Sequence, residues 1–146
     1  MFFVTKKFRF EMAHVLSNYD GPCGNLHGHS YVCLVSFSSA DVESNTGMVC
    51  DFSTIKNFCN ELIFDKLDHC CAINIKSNDS FELDLWKTLK KYHRKIYEFP
   101  FRTTAENMSR YIFELINRNL KESEFNCVCS KIQLYETLTG DAVYED

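Results

Sequence analysis

Apolar and polar residues alternate loosely from Phe2 to Ala13, a stretch rich in phenylalanine, and the pattern predicts a strand. Asn, Asp, Gly and Pro gather between Asn18 and Gly24 and predict a loop. A second strand is expected from Tyr31 to Ser39. Asn45-Thr46-Gly47 marks a turn, after which Met48 to Asp51 is expected to be extended again. Ser53 then caps a helix, because Ile55, Phe58, Cys59, Leu62 and Ile63 follow the spacing of one buried helical face. Asn78 to Ser80 reads as a loop. Phe81 to Tyr97 reads as a helix with Leu85, Leu89, Tyr92 and Ile96 on one stripe, ended by Pro100. Thr103-x-x-Glu106 is a capping box that opens a third helix, with Met108, Ile112, Leu115 and Ile116 facing inward. Asn126 to Glu136 is a strand, Thr139-Gly140 a turn, and Ala142 to Tyr144 closes a hairpin. Two strands, helices and two strands give an α+β domain: an antiparallel four-stranded sheet with helices packed on one face. No repeat or linker divides residues 1–146, so a single domain is expected.

Composition narrows the classes. Hydrophobic residues make up 45% of the 146, which suffices for an ordinary core without a disulfide framework. The net charge is -4, and no basic footprint for a nucleic-acid partner is present. The most basic stretch, Lys87 to Lys95, is interrupted by Leu89 and Tyr92 and reads as a helix face. No window approaches the roughly 18 apolar residues of a membrane span. No secretory signal is apparent at Met1 to Phe8, so a soluble cytoplasmic protein is expected and the eight cysteines are read as reduced thiols. Most of them lie in apolar runs, where free cysteine packs as a small hydrophobe.

Three of the five histidines fall together: His14, His27 and His29. Residues i and i+2 of a strand share a face, so His27 and His29 point the same way. If the first two strands pair as a hairpin, His14 at the end of one lies beside His27 at the start of the other. Gly28 then places no side chain on the opposite face. Three neutral imidazoles suit zinc with one position left open, the arrangement of a catalytic rather than a structural site.

Other candidates are weaker one by one. Cys23 lies in a polar loop four residues before His27, which makes it accessible. It fits a fourth zinc ligand, a base or a nucleophile, and spacing does not choose among these. Asp68-His69 has the make-up of a proton relay. Read alone it is better taken as a helix C-terminus in which the imidazole favours the dipole. Glu136 continues the face of Ile132 and Leu134, where a buried carboxylate needs a partner such as a ligand's N–H groups. On its own it reads better as an exposed strand end.

Taken in order, these segments resemble the 6-pyruvoyltetrahydropterin synthase and 6-carboxytetrahydropterin synthase family. The matching stretches are Phe10 to His14, Cys23-Gly-Asn-Leu-His27-Gly-His29-Ser-Tyr31, Gly47 to Phe52, Leu67-Asp68-His69, Thr103 to Asn107 and Tyr135-Glu136-Thr137. The resemblance implies the tunnelling fold, in which domains trimerise through their sheets and two trimers stack into a homohexamer. It implies zinc on His14, His27 and His29, Cys23 as general base, and Asp68 with His69 as the associated relay. Glu136 would grip the amino-pyrimidinone edge of a pterin, with Thr103, Thr104 and Glu106 lining its pocket. The substrate implied is 7,8-dihydroneopterin triphosphate. One branch of the family keeps a pyruvoyl side chain. The other releases acetaldehyde and leaves a carboxylate, on the route to queuosine and other deazapurines. Three residues between Cys23 and His27, and Asp51-Phe52 after Gly47-Met-Val-Cys, resemble the carboxy branch. Alternatives are the pyruvoyl enzyme, or a non-catalytic zinc-stabilised, pterin-binding domain. A third branch carries Glu where this chain has Cys23. Residues 75–101 look longer than in compact members and are expected to form an extra helical insertion.

Overall fold

The computed structural model describes all 146 residues. Strands β1 (Phe2–His14) and β2 (His27–Ser39) form a long antiparallel hairpin in which Phe8, Phe10 and Met12 face Cys33, Tyr31 and His29. All of these but His29 are buried, together with Val35 and Phe37, so the alternation of β1 and β2 builds one wall of the core. β5 (Val128–Tyr135) pairs antiparallel with β2, and β6 (Asp141–Glu145) pairs antiparallel with β5.

The sheet has six strands in the order β4-β3-β1-β2-β5-β6, not the four expected. The two additional ones are β3 (Cys70–Asn74) and β4 (Ile96–Phe99), which continue the sheet in parallel beyond β1. The helix expected over Phe81 to Tyr97 is therefore shorter. It is α3 (Ser80–Lys91), after which His93 takes a left-handed φ of 52° and the chain re-enters the sheet as β4. The segment 75–101 is a helix–strand unit rather than a purely helical insertion. Trp86 on α3 donates its indole N–H to Glu98 on β4 at 2.7 Å, and Lys90 lies over the Trp86 ring, which ties the two together.

The helix after the second strand runs from α1 (Phe52–Cys59) through a π-helical turn (Asn60–Phe64) into α2 (Asp65–Leu67). Its fully buried residues Ile55, Cys59, Ile63 and Leu67 are spaced by four. A regular α-helix rotates such a series by about 40° at each step. The wider π turn removes that drift and keeps all four on the core. Asp51, not Ser53, caps α1 by accepting the Thr54 N–H at 2.7 Å. Met48 to Asp51 joins no strand. Thr104, not Thr103, is the N-cap of α4 (Ala105–Leu120), accepting from the Asn107 N–H. Met108, Ile112 and Ile116 of α4 are buried as expected, with Phe113 and Leu120, while Leu115 is half-buried.

Candidate metal centre and active site

The hairpin register sets the site. His14 lies opposite His27, and Met12 opposite His29, so the three imidazoles share the core-facing side of the sheet at its open end. Gly28 lies opposite Ala13, where an added Cβ would approach the Met12 carbonyl oxygen to 3.1 Å. Glycine there lets the two strands close tightly around the histidines.

One ligand atom from each of His14, His27 and His29 lies within 4.8 Å of the others. His14 is fully buried, and its Nδ1 lies 2.8 Å from the Thr103 carbonyl oxygen. His27 Nδ1 lies 2.7 Å from the Asn25 carbonyl oxygen. With Nδ1–H donating to those carbonyls, each ring turns its Nε2 lone pair inward, and the two Nε2 atoms stand 3.1 Å apart. His29 Nε2 is buried without a hydrogen-bond partner. A buried, unpartnered ring nitrogen beside two oriented imidazoles makes a set that fits a divalent cation taking nitrogen ligands. Burial pulls His14 and His29 below the ordinary imidazole value, which favours the neutral, ligating form.

Glu136 completes one side. Its Oε1 lies 3.5 Å from His29 Nε2 and its Oε2 3.8 Å from His14 Nε2. The buried Tyr31 hydroxyl donates to Oε2 at 3.3 Å. Tyr31 stacks on Phe10, with ring centroids 5.0 Å apart, so the core holds the tyrosine that holds the carboxylate. Burial, then the Glu136 charge, pushes the Tyr31 phenol up and keeps it a donor. Tyr31 continues the His27, His29 alternation, and that period could have flagged it from the sequence. Glu136 and His29 open onto a depression of about 710 Å³ that also reaches Tyr135, Thr137 and Leu34.

The remaining candidates stand apart. Cys23 sits half-buried in a short 3-10 turn (Pro22–Gly24), where its carbonyl accepts the Leu16 N–H at 2.9 Å. Its thiol is not among the clustered donor atoms, which leaves a three-nitrogen set. Asp68 ends α2, and its carboxylate accepts the Glu11 N–H at 2.8 Å and approaches His69 Nδ1 at 2.9 Å. The Glu11 N–H, ahead of His69, holds the Asp68 carboxyl below its usual range. His69 takes a left-handed φ of 60°, costly for a non-glycine residue, and its N–H donates to the Glu11 carbonyl at 2.6 Å. Its side chain is 75% exposed and faces a shallow depression with Glu11, Gly28 and Ser30. Lys95, from the inserted unit, donates to the carbonyls of Asp65 and Asp68 at 2.6 Å each. Thr103 is fully buried with its hydroxyl unpartnered, Thr104 caps α4, and Glu106 is exposed in the first turn.

The three histidines thus gather at the open end of a β-hairpin in a mixed six-stranded sheet, with α1 and α4 on its core face and α3 on the other. The family model described as 6-pyruvoyl tetrahydropterin synthase matches residues 3–146, and the chain belongs to that family. It is 39% identical to the 6-carboxy-5,6,7,8-tetrahydropterin synthase of Haemophilus influenzae across 100% of both chains. It is 32% identical to the enzyme of the same name from Aquifex aeolicus over 98% of this chain and 97% of the relative. The solved structure of Caenorhabditis elegans 6-pyruvoyl tetrahydropterin synthase superposes with a TM-score of 0.67 at 24% identity, over 99% of this chain and 95% of that one, and supports the shared fold. No helix is long and apolar enough to cross a membrane.

Proposed function

We propose that the protein is a zinc-dependent 6-carboxy-5,6,7,8-tetrahydropterin synthase. The reaction consumes 7,8-dihydroneopterin triphosphate and water and yields 6-carboxytetrahydropterin, acetaldehyde and triphosphate. The observation that carries this reading is the His14, His27 and His29 donor set in a chain similar over its whole length to enzymes of that name. Zinc is the metal proposed because the set is all imidazole, and such a site with an open position supplies Lewis-acid polarisation of a substrate oxygen. Glu136, anchored by Tyr31, would accept two N–H bonds from the pterin's amino-pyrimidinone edge. Thr103, Thr104 and Glu106 would line the pterin pocket. Cys23 would take a proton from the substrate side chain as its thiolate, and His69, oriented by Asp68, would carry protons to and from it.

The working particle is proposed to be a homohexamer of two stacked trimers. The exposed His69 and the open depression beside Glu136 support a site completed by a neighbouring chain. A dilution series followed by sedimentation should show turnover per chain falling as the assembly dissociates, with zinc retained. The deazapurine route and a cytoplasmic setting belong to the same reading.

The deciding experiment incubates zinc-loaded protein with 7,8-dihydroneopterin triphosphate and identifies the products by mass spectrometry, with acetaldehyde trapped. Carboxytetrahydropterin with acetaldehyde is expected. Pyruvoyltetrahydropterin would move the protein to the other branch. Neither product, with metal bound and the assembly intact, would leave a binding-only protein.

A further inference from the structure

Glu82 lies in the inserted helix, outside every residue set discussed for catalysis, yet it is completely buried. Burying a carboxylate is costly unless hydrogen bonds repay the lost hydration. No Lys, Arg or His nitrogen forms an ion pair with it. Its partners are instead the Asn74 N–H at 2.8 Å, at the end of β3, and the Ser17 hydroxyl. Glu82 occupies the third position of α3 behind its N-cap Asp79, which accepts the Glu82 N–H at 3.0 Å. In a capping box the residue at this position turns back to the cap's own N–H. Here the carboxylate turns into the protein.

Ser17 is where the path to the metal centre begins. It lies three residues beyond His14, and its carbonyl accepts from the Arg102 guanidinium. The next residue, Thr103, supplies the carbonyl that fixes the His14 tautomer. Leu16, on the other side, holds the Cys23 carbonyl through its N–H. The chain leaving His14, the Cys23 turn and the Arg102-Thr103 segment therefore meet around Leu16 and Ser17, and the hydroxyl of Ser17 is held by Glu82, with the Ser77 hydroxyl 3.1 Å away.

We infer that Glu82 is a positioning residue for the metal centre, acting through Ser17 and Arg102 on the Thr103 carbonyl that orients His14. The inserted helix–strand unit thereby becomes part of the site's framework. The inference rests on the metal reading proposed above and adds to it a residue far along the chain from any ligand.

The test uses the full-length protein and cobalt(II) and zinc titrations, with the visible cobalt spectrum as a report on ligand geometry. Outer partners of metal-bound histidines typically change affinity by about 10–100-fold. Glu82→Ala and Ser17→Ala should each weaken zinc binding by roughly 10-fold and alter the cobalt bands. Glu82→Gln, which keeps an acceptor for Asn74 and can donate to Ser17, should restore most of both. Trp86→Phe loosens the same inserted unit without touching Ser17. It should lower the thermal midpoint and leave affinity and spectrum unchanged. If Glu82→Ala and Ser17→Ala bind zinc like the parent, or if Trp86→Phe weakens binding as much as they do, the inference is overturned. Should Glu82→Ala fail to fold, Ser17→Ala and Glu82→Gln decide alone. A parent protein that binds neither metal would refute the metal reading itself, a separate result.

Discussion

The two ends of the proposed chemistry are built differently. At the histidine end, one hairpin register brings three ligand atoms within 4.8 Å, and each orienting carbonyl is supplied by the same chain. At the Asp68-His69 end, the pair is formed and its backbone tightly held, but the imidazole is 75% exposed. The Cys23 thiol stands outside the donor cluster. On the function proposed above, metal affinity is a property of one folded chain, while proton transfer would need the substrate and a neighbour to close the geometry. The comparison says that metal loading and turnover are separable.

The largest effect should come from cutting the self-contained end. His27→Ala removes a ligand, and zinc affinity is expected to fall by more than about 100-fold, beyond the usual loss for an outer partner. Turnover should go with it, as metal analysis after gel filtration alongside the product assay will record. The open end should behave oppositely. Cys23→Ala and His69→Ala are expected to keep a full zinc complement while losing turnover by on the order of 10²–10⁴-fold. Loss of zinc in Cys23→Ala would instead make the thiol a ligand and the site a closed one.

The smallest effect concerns pH. The Asp68 carboxyl is held below its usual range by the Glu11 N–H, so it is ionised more readily folded than unfolded. Its contribution to stability is present above the ordinary carboxylate value of about 4 and is lost as pH falls through the folded value. Thermal midpoints of the parent and Asp68→Asn should differ at neutral pH and converge on acidification. Parallel curves over the whole range would mean the Glu11 contact contributes nothing.

The parts that were legible in the sequence are those written as side-chain period. The long β1–β2 hairpin, the helix face of Ile55, Cys59 and Ile63, and the α4 face of Met108, Ile112 and Ile116 all follow from spacing. The shared face of His14, His27 and His29 follows from the same period-2 logic. β3 escaped because Cys70 to Ile73 is a short apolar run directly after a helix, which periodicity cannot tell from more helix. β4 escaped because the Leu85, Leu89, Tyr92, Ile96 stripe runs across a break made by the backbone of His93, not by a proline or glycine. The partners that orient the site escaped for a related reason. Thr103 and Asn25 act through their carbonyls, and a carbonyl leaves no mark on residue type. Glu82 was visible only as a charge on a helix that looked like surface.

The packing of the cysteines sets how this protein will age on the bench. Burial pushes the thiols of Cys70, Cys127 and Cys129 up to about 12 and that of Cys71 up to about 11, and it raises Cys33, Cys50 and Cys59 as well. Thiols that stay protonated in a closed core react slowly with peroxide or air. Cys23 is half-buried in a surface turn, as Cys50 and Cys71 are half-buried elsewhere, while the other five are enclosed. If Cys23 moves protons as proposed, its oxidation would silence a stored preparation while the thiols that fill the interior, and the fold with them, stay intact.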